Sequence, residues 1–229
     1  MSTIASRLQA VQARIRAAEA AAGRPPDAVR LIAVSKTFAA SAIREACQAG
    51  QHAFGENYLQ EALSKIEALP GLPLEWHFIG PIQSNKTRPV ALNFSWVHSV
   101  DRLKLAERLS AARPEGLPPL QICIQVNVSG ERSKSGCQPD ALQELALAVA
   151  CLPRLQLRGL MAIPEATSDV RLQHQRFALL RQLKDQLVTS GLSLDTLSMG
   201  MSDDLEPAIA EGATMVRVGR AIFGPRQSH

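Results

Sequence analysis

Apolar residues recur along this chain in two alternating patterns. Short, almost continuous apolar runs are separated by longer segments whose apolar residues repeat at helical spacing. The first of the longer segments, residues 3–22, places Ile4, Leu8 and Val11 on one helix face and is followed by Gly23 and two prolines. This segment predicts an amphipathic helix that precedes the rest of the fold.

Eight apolar runs follow this helix, and amphipathic segments lie between them. The runs cover residues 29–34, 51–54, 74–79, 94–98, 120–126, 155–161, 194–198 and 214–218. The amphipathic segments cover residues 41–48, 59–69, 102–112, 139–150, 170–190 and 205–211. Strands that alternate with helices pair in parallel, because parallel neighbours need a long crossover connection. Eight units in about 200 residues predict an α/β protein with a single (β/α)8 TIM barrel and an extra N-terminal helix. A doubly wound open sheet is the alternative.

Composition and charge exclude several classes of function. No Pro/Ser-rich linker divides the 229 residues, so we expect residues 1–229 to form one domain. The 25 basic and 21 acidic side chains are mixed along the chain, which argues against nucleic acid as a partner. No stretch approaches the roughly 20 apolar residues of a membrane span. The four cysteines lack C-x-x-C and zinc-site spacing, so we expect reduced thiols, no metal and a cytoplasmic location.

The first candidate for chemistry is the lysine that follows the first predicted strand. In a (β/α)8 barrel the active face lies at the C-terminal ends of the strands. Lys36 comes directly after the first strand, so its amine is expected at the mouth of the barrel. Burial disfavours the ammonium form of a lysine and leaves an amine that can form a Schiff base with a carbonyl group. A lysine in a solvated loop is the alternative.

Two glycine-containing turns follow the last two predicted strands, where barrels favour a phosphate site. Ser198, Met199 and Gly200 begin the first turn, and Gly219 and Arg220 form the second. Glycines let backbone N–H groups approach an anion, so the two turns together predict a phosphate-binding cradle. Ordinary tight turns are the alternative for each of them.

Each of the other polar residues near the predicted strand ends has a functional and a structural interpretation. Arg217 lies in an otherwise apolar strand, so it either pairs with a carboxylate or contacts a ligand. Beside a pyridine nitrogen, a guanidinium group would keep that nitrogen unprotonated and weaken the ring as an electron sink. Glu56 and Asn57 either orient a cofactor hydroxyl or cap the next helix. Lys134 belongs to a lid or to a plain loop, and residues 83–88 begin an anion-binding helix or simply cap one.

These residues lie within stretches that resemble the pyridoxal phosphate homeostasis protein family, whose fold is similar to the barrel domain of alanine racemase. The matching stretches are LIAVSKT (31–37), FGENY (54–58), WHFIGPIQSNK (76–86), SKSG (133–136), GLMAIP (159–164), LSMGMSDD (197–204) and VRVGRAIFG (216–224). They occur in order and extend over nearly the whole chain. Matches as long as SMGMSDDL are too specific to arise by chance.

The resemblance implies a cofactor and the residues that hold it. Lys36 would carry pyridoxal 5′-phosphate (PLP) as a Schiff base, and Arg217 would lie beside the pyridine nitrogen. Ser198, Gly200 and Gly219 would contact the phosphate. The family usually has Ser or Thr after Gly219, where this chain has Arg220. The guanidinium group of Arg220 could bind the phosphate in a bidentate manner, or its bulk could turn it outward.

The resemblance also implies a role without turnover. Members of the family are thought to bind, buffer and deliver the cofactor and so to balance vitamin B6 pools. Alanine racemase takes a catalytic tyrosine from a second domain, whereas the only tyrosine here is Tyr58, within the barrel. We therefore expect a monomeric, non-catalytic carrier with PLP and apo PLP-dependent enzymes as partners. A minimal racemase-like PLP enzyme is the alternative, and an aldolase that uses Lys36 without a cofactor is a third reading.

Overall fold

Eight parallel strands form a closed barrel in which the strands follow their order along the chain. The structure is a computed structural model that describes residues 3–131 and 134–225. The strands are β1 (Arg30–Val34), β2 (Ala53–Glu56), β3 (Glu75–Phe78), β4 (Trp96–Val100), β5 (Leu120–Gln125), β6 (Leu155–Met161), β7 (Thr196–Ser198) and β8 (Met215–Val218). Pairing of β1 with both β2 and β8 closes the ring. The predicted (β/α)8 barrel is therefore confirmed.

Helices lie between the strands and at both ends of the barrel sequence. They are α1 (Ile4–Ala21), α2 (Ala40–Gln48), α3 (Leu59–Ala68), α4 (Thr87–Asn93), α5 (Leu103–Ala112), α6 (Leu142–Ala150), α7 (Val170–Thr189), α8 (Leu205–Ala210) and α9 (Arg220–Phe223). The sequence pattern indicated only the start of α4 and missed α9. Pro89 lies in the first turn of α4, where proline is tolerated, but it obscured so short a helix.

The extra helix α1 packs against the outside of the barrel, on α2, α8 and α9. Thr3 caps it, because its side-chain oxygen accepts a hydrogen bond from the Ser6 amide at 3.1 Å. Arg14 forms an ion pair with Glu206 of α8. In the described part of the chain, no helix combines the length and the apolar character that crossing a bilayer requires.

The inside of the barrel contains both apolar and polar side chains. Successive side chains of a strand point to opposite faces, so residues two apart share a face. Met215 belongs to an apolar cluster drawn from six strands, and Arg217, two residues later, therefore also points inward. Trp96 and His98 have the same relation on β4. Arg217 and His98 consequently lie nearer the C-terminal mouth of the barrel than the apolar residues Met215 and Trp96 of their own strands.

Candidate functional site

A pocket of about 200 Å³ opens at the C-terminal mouth of the barrel. We call it the mouth pocket. It is lined by Val34, Lys36, Asn57, Ile79, Ile163, Met201, Ser202, Asp203, Arg217, Gly219 and Arg220. Five of the residues predicted from sequence to bind the cofactor thus share one pocket. Within the described residues, the other three (Ser198, Met199 and Gly200) are not part of its lining.

The backbone around Lys36 is held by neighbours on both sides. Lys36 is half-buried, and Thr37 after it adopts the left-handed region with φ 69°. That conformation is unusual for a β-branched residue and persists only when the surroundings enforce it. The Thr37 amide donates to Oε1 of Glu61 at 2.6 Å, and the Ser35 amide donates to the Gly55 carbonyl at 3.1 Å. The strand end that presents Lys36 is therefore fixed from two directions.

A buried charged cluster supports the same loop from behind. Lys65 is 6% exposed, and its Nζ donates to the Ser35 carbonyl at 2.7 Å, to Glu56 Oε1 at 2.7 Å and to Glu61 Oε1 at 2.5 Å. The Ser35 hydroxyl also donates to Glu56 Oε1, at 2.6 Å. Burial raises the pKa of Glu56, and the charge and hydrogen bond of Lys65 counteract that rise. Glu56 thus lies in the support of Lys36 rather than in the pocket wall.

Arg217 places a buried cation in the lining of the mouth pocket. It is 3% exposed, and its Nη1 donates to Ser198 Oγ at 2.7 Å while Nη2 donates to the Ala162 carbonyl at 2.9 Å. Burial lowers its pKa to about 10. Across the described ranges, no carboxylate lies within ion-pair distance of it. Its charge is thus met by neutral oxygens, and the ion pair considered from sequence is not seen there.

The first glycine turn is largely occupied by internal bonds, and it reaches the pocket lining at Met201 and Ser202. The Met199 amide donates to the Met215 carbonyl at 3.1 Å, and the Met201 amide donates to Asp204 Oδ1 at 2.6 Å. Gly200 has φ 93°, and a Cβ there would lie 2.6 Å from the Cβ of Ala208. Glycine is therefore needed for this turn to pack on α8. A phosphate contact from Ser198 or Gly200 stays a prediction.

The second glycine turn forms a wall of the pocket. A Cβ on Gly219 would lie 3.0 Å from the Val34 carbonyl oxygen, so the glycine lets this wall approach β1 closely. Arg220 extends to the rim, where its side chain is 69% exposed and its Nη2 is 3.6 Å from Asp203 Oδ2. Its guanidinium group thus faces solvent and a carboxylate at the pocket edge. Contact between Arg220 and a phosphate also stays a prediction.

Asn57 contributes a polar atom without a hydrogen-bond partner. Its Oδ1 is buried and accepts no hydrogen bond from the described part of the protein. Asn57 lies between the mouth pocket and a neighbouring groove, which also includes Tyr58, Gln83 and Lys86. A buried unpaired oxygen is costly unless a donor meets it. Asn57 therefore offers an acceptor to a ligand in the mouth pocket.

Sequence reasoning missed the polar residues inside the barrel and weighed others that lie elsewhere. His77 and His98 are fully buried and hydrogen-bond to each other at 2.9 Å. The available signal was their position in apolar strands, on the face that points inward. Lys134 is half-buried and outside the mouth pocket lining, and two neighbours in its loop, Arg132 and Ser133, lie outside the described residues.

Comparison with known sequences gives a consistent family. The model of the family described as alanine racemase, N-terminal domain, matches residues 6–227. The pyridoxal phosphate homeostasis protein of Pseudomonas aeruginosa is 66% identical over 226 residues, which cover 99% of this chain and 97% of that protein. The protein of the same name from Escherichia coli K12 is 54% identical over 234 residues, with 99% and 98% covered.

Solved structures with the same fold include close and distant relatives. PipY of Synechococcus elongatus, determined with PLP bound, is 40% identical with a TM-score of 0.85 and covers 97% of this chain and 100% of its own. An alanine racemase of Clostridium difficile is 14% identical with a TM-score of 0.74 over 87% of this chain and 53% of its own, which shows a shared fold alone. The chain therefore belongs to the pyridoxal phosphate homeostasis protein family, and the resemblance predicted from its motifs is confirmed.

Proposed function

We propose that this chain, as one domain of residues 1–229, binds PLP in the mouth pocket as a Schiff base on Lys36. Its role would be PLP homeostasis in the cytoplasm, with delivery of the cofactor to apo-enzymes. The observation that carries the proposal is the convergence of Lys36, Asn57 and Arg217 on one pocket of about 200 Å³. The names of its relatives and the PLP-bound PipY structure support the same cofactor.

The residues of the mouth pocket fit this cofactor. The unpaired Oδ1 of Asn57 suits a hydroxyl donor on a ring. The guanidinium group of Arg217 suits an acceptor such as a ring nitrogen, because arginine has donors and no acceptor. Gly219 lines the pocket and has no side chain, so a ligand can approach the backbone there. The pocket thus offers an amine, an acceptor, a cation and a glycine wall.

Each residue then has a defined task. PLP supplies an aldehyde that an amine can attack, which forms a C=N bond and releases one water. Lys36 provides the amine, held at the end of β1 by the bonds of Ser35 and Thr37. Arg217 lines the pocket and keeps its proton near neutral pH, so beside the ring it would disfavour a protonated pyridine nitrogen. Such a ring is a weak electron sink, which suits storage better than carbanion chemistry.

The ionisable groups of the pocket favour a carrier over a racemase. Those in its lining are Lys36, Asp203, Arg217 and Arg220. Asp203 is 86% exposed at the rim, and neither arginine accepts a proton near neutral pH. Tyr58 borders the neighbouring groove and is 55% exposed. A two-base racemase needs an acid–base group on each face of the substrate carbon. We therefore propose delivery without turnover.

Absorption spectroscopy with chemical trapping tests the attachment. Purified protein, incubated with PLP, is expected to show a Schiff-base band in the visible range. Borohydride reduction and peptide mapping should then place a pyridoxyl mass on the peptide that contains Lys36. The Lys36→Ala variant should lose the band, and Lys104→Ala, a substitution at an exposed lysine of α5, should keep it. An unchanged band in Lys36→Ala would refute the proposed anchor.

Transfer and turnover are measured separately. Loaded protein, mixed with an apo PLP-dependent enzyme, is expected to restore that enzyme's activity faster than Lys36→Ala protein carrying the same total PLP. Chiral chromatography after incubation with amino acids should show no racemisation above the Lys36→Ala background. Robust racemisation would favour the minimal enzyme instead.

A further inference from the structure

A chain of hydrogen bonds crosses the barrel interior beneath Arg217. Arg217 Nη1 donates to Ser198 Oγ at 2.7 Å, and Ser198 Oγ is 2.8 Å from His98 Nδ1. His98 Nε2 is 2.9 Å from His77 Nδ1, and His77 Nε2 is 2.7 Å from Glu75 Oε1. The serine and both histidines are 0% exposed. We call this set of five residues the core chain.

The core chain ends at a second cavity, on the opposite face of the barrel. Glu75 begins β3 and lines a cavity of about 910 Å³ at the N-terminal ends of the strands. We call it the floor pocket. Arg30 and Trp96 also line it, and Arg30 Nη1 is 2.7 Å from Glu75 Oε1. The core chain therefore joins two pockets on opposite faces of one barrel.

The Glu75 end of the core chain sets the direction of its hydrogen bonds, and the Arg217 end is compatible with that direction. Arginine has no acceptor, so Ser198 Oγ accepts from Arg217 and has its own hydrogen left for His98 Nδ1. An ionised Glu75 has no donor, so His77 Nε2 must carry the hydrogen of that bond. The remaining contact is then satisfied when His98 Nε2–H donates to His77 Nδ1. All four bonds are made with both imidazole rings neutral and protonated at Nε2.

The surroundings of the two rings agree with neutral imidazoles. Burial lowers the pKa of His77, although Glu75 opposes that effect. Burial also lowers the pKa of His98, to well below its usual value. The nearby cations Arg30 and Arg217 act in the same direction on His98. Trp96 stacks on His77 with ring centroids 5.6 Å apart and an angle of 12° between the planes. The stacking thus restrains the His77 ring, and burial favours the neutral form of both rings.

We infer that Glu75, His77, His98 and Ser198 are positioning residues for Arg217, and that they couple the floor pocket to the mouth pocket. The inference deepens the proposed function and rests on it, because Arg217 is the residue proposed to face the cofactor ring. Loss of the acceptor at Glu75 releases the constraint on the His77 tautomer. The hydrogens of His98 and Ser198 can then turn the other way, and Ser198 Oγ accepts from both His98 and Arg217. The serine no longer donates to His98, so the position of the oxygen that Arg217 contacts is no longer fixed from that side.

Nitrogen NMR of the apo protein tests the core chain without the cofactor. The ring nitrogens of His77 and His98 are expected to report neutral Nε2–H tautomers. Glu75→Leu should shift the Arg217 guanidinium resonance, and Glu75→Gln, whose amide oxygen still accepts from His77, should largely restore it. The matched control is His174→Gln, which breaks another histidine–glutamate pair, 2.9 Å long, outside the barrel interior. An Arg217 resonance unchanged in Glu75→Leu, with the chain still folded, overturns the inference.

Cofactor titration then measures the consequence at the mouth pocket. Glu75→Leu and Ser198→Ala are expected to weaken PLP binding by about tenfold, the effect of roughly one charge-assisted hydrogen bond, and to move the visible band. Ser198→Thr keeps a hydroxyl and should retain more affinity than Ser198→Ala. Unchanged affinity and band in Glu75→Leu also overturn the coupling. If the wild-type protein gives no visible band with PLP, the proposed function is refuted but the core chain is not. The NMR spectra of the apo protein then still test whether the core chain positions Arg217.

Discussion

Replacing Lys65 by methionine removes the cation from the buried cluster behind Lys36. The substitution keeps the length of the side chain but none of its three hydrogen bonds, to the Ser35 carbonyl, Glu56 and Glu61. Glu56 is 0% exposed and would be left without its cationic partner. Breaking a buried pair in this way costs about 3–5 kcal/mol, because the remaining charge has neither water nor a counter-ion.

The expected loss is large enough to measure by thermal or urea unfolding. For a chain of this size each kcal/mol lowers Tm by about 2–4 °C, so Lys65→Met should melt roughly 6–20 °C below the wild type. Lys104→Met on the exposed face of α5 is the matched control and should stay within about 0.5 kcal/mol. The same loss of support should slow the proposed reaction of Lys36 with PLP.

A double variant separates the buried charge from lost packing. Adding Glu56→Gln to Lys65→Met removes the uncompensated carboxylate and should recover much of the lost stability. Burial already raises the pKa of Glu56, and loss of Lys65 raises it further. A carboxyl with a raised folded-state pKa contributes stability at acidic pH that is lost as pH rises through that value, so the deficit of Lys65→Met should shrink on acidification. The reasoning would be refuted if the stability deficit of Lys65→Met changed neither with pH nor on addition of Glu56→Gln.

Three further predictions concern the rest of the barrel. A Cβ on Gly159 would lie 1.8 Å from a β7 carbonyl oxygen, so Gly159→Ala should destabilise by about 1–3 kcal/mol in urea unfolding, whereas Gly116→Ala, in open space, should not. Burial raises the pKa of Glu165, but hydrogen bonds from an arginine of α7 and a serine after β5 outweigh this and hold it at about 2. Its stabilising contribution is present above about pH 4 and lost toward pH 2, so Glu165→Gln should flatten the acid limb of the stability curve. Burial raises the pKa of the Cys123 thiol to about 12, so iodoacetamide at pH 8 should label exposed Cys151 and leave Cys123 unmodified until the protein is denatured.

The strands of the barrel could be predicted because each one is covered on both faces. Such strands appear in the sequence as short apolar runs: six of the eight runs contain the whole observed strand, run 94–98 contains most of β4, and run 51–54 contains half of β2. The short helices could not be predicted in the same way. α9 spans only Arg220–Phe223, which is about one turn and too short for an apolar repeat to appear.

The candidate site could be predicted only as far as position along a strand determines it. Asn57 and Gly219 come directly after strands and Lys36 two residues after one, and a barrel brings the C-terminal ends of its strands to one face. Ser198 illustrates the limit of that reasoning. It lies at a strand end, yet its hydroxyl faces the interior and meets His98, which is 100 residues away in the chain. No local pattern records a contact over such a separation.

The two halves of the pocket differ in how they are held. The inner half is presented by buried polar groups: the Lys65 cluster supports Lys36, and the core chain holds Arg217. The outer half is formed by side chains with far more solvent contact, such as Arg220, which is 69% exposed. The proposed carrier role would require the cofactor to be held in one orientation and still be exchanged with a partner. Rigid anchors on the inner side and an open rim on the outer side meet both requirements in one pocket, because exchange can take place across the rim without disturbing the buried networks.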